Sequence, residues 1–131
     1  EVGRDNIFIF GLTIEEVREL RSHGYRARDY YERDAELRRA LDMIGSGFFS
    51  PGDPGLFAPL AASLLDHGDR FLLLADYRAY VSAQEEVGRV FLDRDEWTRR
   101  SILNTANMGK FSSDRAVMEY AERIWGIRPM G

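Results

Sequence analysis

Two short runs without a polar side chain, Ile7-Phe8-Ile9-Phe10 and Phe71-Leu72-Leu73-Leu74-Ala75, constrain the fold of this chain more than any other feature. Neither run alternates, and each ends at a turn former or a charge, which is the pattern of a strand covered on both faces in a parallel sheet. Each is followed by a helical pattern. After the first, Thr13 stands three residues ahead of Glu16 as a capping box, with Ile14, Val17 and Leu20 on one stripe and Gly24 as the stop. Two strands alone make a marginal sheet. The pattern therefore predicts part of a larger doubly wound domain whose remaining strands precede Glu1, itself an unusual first residue for a whole protein.

The rest of the chain reads as helix. Tyr25 to Arg33 is helix-like, and Asp34 opens a further helix with Leu37, Leu41 and Ile44 on one face. Two prolines and two glycines make Phe48 to Gly55 a loop. Phe57, Leu60, Ala61, Leu64 and Leu65 mark a helix that stops at Gly68. Tyr80, Val81, Val87, Val90 and Phe91 mark another, and Asp93 with Glu96 caps the next, carrying Trp97, Ile102, Leu103 and Ala106. Ser112-Ser113-Asp114 opens a last helix, with Val117, Tyr120, Ala121 and Ile124 inside and Gly126 and Pro129 closing it. The expected fold is α/β and predominantly helical, with two short parallel strands.

Length and composition bound the function. The 131 residues, 44% hydrophobic and 31% charged, suit a single globular domain over 1–131. A self-contained chain of this size buries roughly two-thirds of its unfolded surface. Lys plus Arg number 18 against 22 Asp plus Glu, so no basic field is present to hold nucleic acid or an anionic membrane, and neither is expected as a partner. No apolar run approaches the ~20 residues that span a bilayer. The absence of cysteine removes thiol nucleophiles, thiolate metal sites and disulfides.

Candidate chemistry is sparse. His23 and His67 each precede a glycine at a helix end, where a histidine caps carbonyls and suits the helix dipole. Asp66-His67-Gly68-Asp69 offers ligand atoms without the second histidine that a metal site needs. Glu15-Glu16 and Glu85-Glu86 fall on charged helix faces. Gly109-Lys110-Phe111-Ser112 departs from a phosphate loop, because Asn104 replaces the first glycine and Phe111 the hydroxyl residue. An anion pocket at Ser112, Ser113 and Arg115 competes there with plain N-capping. Tyr30, Tyr31, Phe48 and Phe49 suit a sugar-stacking platform or an apolar core. Of the 18 basic residues only Lys110 is lysine.

Asn6-Ile7-Phe8-Ile9-Phe10-Gly11, Ser46-Gly47-Phe48-Phe49-Ser50-Pro51 and Gly109-Lys110-Phe111-Ser112-Ser113-Asp114-Arg115 leading to Ile124-Trp125-Gly126 carry a resemblance. With Ala75-Asp76-Tyr77, Tyr80-Val81 and Glu96-Trp97-Thr98-Arg99, in this order and spacing, they resemble the C-terminal end of the glycogen/starch (α-glucan) phosphorylases over essentially the whole chain. The resemblance implies the C-terminal part of a Rossmann-like, cofactor-bearing domain in a two-domain glycosyltransferase fold. It implies a cytoplasmic parent enzyme that cleaves α-1,4-glucan with phosphate to give glucose 1-phosphate and uses pyridoxal phosphate. The family's cofactor lysine lies in a Gly-Thr-Gly-Asn-Met-Lys stretch that this chain lacks. No catalytic, cofactor-binding or metal residue is carried over, no cofactor is expected here, and the isolated chain is expected to be inactive. Its partners are then the remainder of the phosphorylase chain and, through the uncovered apolar runs, a second copy in a homo-oligomer. The alternative is a free-standing helical interaction module without catalytic activity.

Overall fold

The computed structural model describes residues 1–127, and the regular elements it forms there are all helical. Seven α-helices follow in order: α1 (Ile14–Ser22), α2 (Ala27–Arg33), α3 (Ala35–Gly45), α4 (Ala58–Leu65), α5 (Leu73–Leu92), α6 (Arg94–Ala106) and α7 (Ser113–Tyr120). Short 3₁₀ turns occupy Arg4–Asn6 and Met108–Phe111, and a π-helical turn, Ala121–Trp125, continues α7. Pro129 lies outside the described residues. No helix here is long and apolar enough to cross a membrane.

No strand forms among the described residues, so the two expected parallel strands, and the Rossmann-like sheet they implied, are not part of this structure. The two runs depart for different reasons. Ile7 keeps the extended conformation, with φ −140° and ψ 142°. No neighbouring strand supplies its ladder, and an unpaired strand is only an extended segment. Phe71 to Ala75 instead runs through a tight turn into α5, burying Leu72 and Leu74 and exposing Phe71 and Leu73. A short apolar run looks the same whether it is a covered strand or the first turn of a buried helix.

The chain forms two compact units, Phe10–Gln84 and Glu1–Ile9 with Glu85–Gly131. In the first, α2, α3 and α4 pack around Ala27, Leu37, Leu41 and Leu74, with Tyr25, Tyr30, Tyr31, Ile44, Leu64, Leu65 and Tyr77 at the margin. The helix starts are locally encoded. Thr13 and Glu16 close the capping box of α1 reciprocally, at 2.7 Å from the Thr13 amide to Glu16 Oε2 and 3.3 Å from the Glu16 amide to Thr13 Oγ1. Asp34 caps α3 through the amides of Glu36 and Leu37, each at 3.0 Å. The Arg78 guanidinium donates to that same carboxylate and holds its pKa below the ordinary value, and it also reaches Glu36 at 2.8 Å. Asp76 accepts the Leu12 amide at 2.8 Å across the start of α5. Gly11, at φ +88°, admits this approach, since a β-carbon there would lie 2.9 Å from the Asp76 carboxylate.

In the second unit Phe8 stacks on Trp97, Trp97 meets Phe91 edge to face, and the Arg100 guanidinium lies 5.3 Å from the Phe8 ring centre. Asp93 caps α6 at the Glu96 amide, 3.1 Å away. Glu96 binds both Arg99 and Arg100, which hold its carboxyl down to about 2.

Candidate functional site

The most constrained polar group is Asp69, with 1% of its surface exposed. Its carboxylate accepts the Tyr25 hydroxyl at 2.6 Å, the Leu73 amide at 3.0 Å and the Leu74 amide at 2.8 Å. The two amides belong to the first turn of α5, where backbone donors have no helical acceptor. Asp69 thus closes the helix start from within the core. Its backbone takes φ 38° and that of Leu72 takes φ 59°, both in the left-handed region that side chains rarely adopt. Burial, and then the Asp69 carboxylate, push the Tyr25 phenol well above its ordinary value. A cleft of about 400 Å³ opens beside this turn between Arg21, Tyr25, Asp69 and Arg70, and Arg21 donates to the Arg70 carbonyl at 2.7 Å. Every partner of Asp69 is spent on holding the turn, which is a structural arrangement and not an acid/base one.

The other sequence candidates stay apart. His23 is the C-cap of α1, its Nδ1 lying 2.9 Å from the Glu19 carbonyl, and the His67 amide donates to Ala62 at 3.1 Å past the end of α4. No group of three or more potential metal ligands converges among the described residues. Ser112 is the N-cap of α7, its Oγ accepting the Arg115 amide at 3.4 Å, while Arg115 pairs with Glu119 at 2.7 Å. Of the aromatic set, Tyr30 and Tyr31 join the core margin, and Phe48 and Phe49 meet edge to face at 5.0 Å with both rings exposed.

Asn6 was not singled out by sequence reasoning, yet it ties its unit together. It donates to the Val2 carbonyl at 2.7 Å, accepts from Arg99 at 3.3 Å, and its own carbonyl accepts from Asn104 at 3.3 Å. An asparagine beside a glycine-containing turn reads as a turn former; its partners 93 and 98 residues away leave no trace in the local pattern.

Many large apolar side chains are exposed, among them Ile9, Phe71, Phe91, Leu92, Ile102 and Trp125, each at least 60% exposed. The accessible area is 10,257 Å². A self-contained protein of 15.1 kDa exposes about 7,100 Å².

The family model for carbohydrate phosphorylases matches residues 1–127. The chain belongs to the carbohydrate phosphorylase family. It is 51% identical over 130 residues to a Synechocystis glycogen phosphorylase, and 50% and 48% identical over 129 residues to the brain forms of glycogen phosphorylase from mouse and human. These alignments cover 98–99% of this chain and 15% of each relative, so the chain spans about one-seventh of a phosphorylase's length.

The one lysine of this phosphorylase segment is not placed to hold pyridoxal phosphate. Lys110, the only lysine, is an exposed member of an ion pair, with Nζ 2.7 Å from Glu1 Oε1, and its charge lowers the Glu1 carboxyl below its ordinary value. The cleft described above includes neither residue. A Schiff base needs a lysine that loses its charge inside a pocket.

Proposed function

We infer that this chain is the C-terminal portion of a cytoplasmic α-glucan phosphorylase, which cleaves α-1,4-glucan with inorganic phosphate to release glucose 1-phosphate. The observation that carries the reading is identity of about 50% to glycogen phosphorylases along practically the whole chain. Such spread, in place of one shared motif, supports a common parent over a free-standing interaction module. The chemistry, including the phosphate group that pyridoxal phosphate supplies when bound, resides in the rest of such an enzyme.

The part played by these residues is architectural. Asp69 and Asp34 fix the starts of α5 and α3, Asp34 joins these helices through Arg78, and Asp76 holds the Leu12 backbone, while the exposed apolar side chains are the surface that the rest of a phosphorylase covers. A chimera tests this. Replacing the matching stretch of the Synechocystis glycogen phosphorylase with these residues should give a soluble enzyme that still releases glucose 1-phosphate from glucan and phosphate. A soluble chimera with its cofactor bound and no phosphorolysis would overturn the reading.

A further inference from the structure

We draw no further inference here: the strongest candidate, the open cleft of about 300 Å³ between Phe8, Trp97, Arg100 and Asn104, has its polar groups spent on neighbours, Arg100 on Glu96 and Asn104 on the Asn6 carbonyl, and nothing in the structure shows what covers it in the longer protein.

Discussion

Asp69 shows how much one side chain contributes here. A buried carboxylate is costly unless its lone pairs are filled, and three donors fill them. Asp69→Ala strands two amides and a hydroxyl and leaves a left-handed backbone that alanine tolerates poorly, so it should destabilise the chain by about 3 kcal/mol. Asp69→Asn keeps one oxygen and a residue suited to that backbone, and should cost roughly half as much in urea titrations. Tyr25 adds a pH dependence whose sign is fixed. Its folded value lies above the ordinary 10.0, so the folded state holds the phenolic proton more tightly than the unfolded state. That contribution is complete below about pH 10 and falls as pH rises further. The alkaline loss of stability should be smaller in Tyr25→Phe, as thermal melts from pH 8 to 11 would show.

At the level of elements, the seven helices divide into those held by tertiary contacts and those held by their caps. Asp34 caps α3 and also anchors Arg78 of α5. Asp34→Ala should therefore shift the cooperative unfolding transition, by about 2 kcal/mol. Ser112 caps only α7, so Ser112→Ala should cost about 1 kcal/mol, seen as lost helicity before the main transition. Trp125→Ala, with most of its ring in water, should change the main transition by under about 1 kcal/mol. The caps at Thr13, Asp34, Asp93 and Ser112 were legible in the sequence because an N-cap is completed within four residues of its own position. The ends at His23 and Gly24 were legible for the same reason. Asp69 was not, because the amides it caps belong to the apolar run read as a strand, and its third partner, Tyr25, is 44 residues away. The apolar runs misled because strand or helix depends on what pairs with them, and for Ile7 to Phe10 no pairing strand is present.

Taken whole, the molecule departs from the two-thirds burial that its length and composition predict. Its unfolded chain would expose about 22,000 Å², so 10,257 Å² in the folded state means that little more than half is buried. Among the described residues six apolar ones are buried: Ala27, Leu37, Leu41, Leu72, Leu74 and Val90. Composition records how much apolar material a chain carries and not whether its own residues cover it. That difference has a measurable consequence, because the urea dependence of unfolding scales with the surface newly exposed. The area exposed on unfolding here is about four-fifths of that for a self-contained protein of equal mass. Measured at concentrations low enough that association does not contribute, the m-value should fall below the size-based expectation by about one-fifth. A full-sized m-value with a single sharp transition would mean that the chain covers its apolar surface unaided. The phosphorylase segment would then fold as a self-sufficient domain, with no need of the surface that the rest of such an enzyme provides.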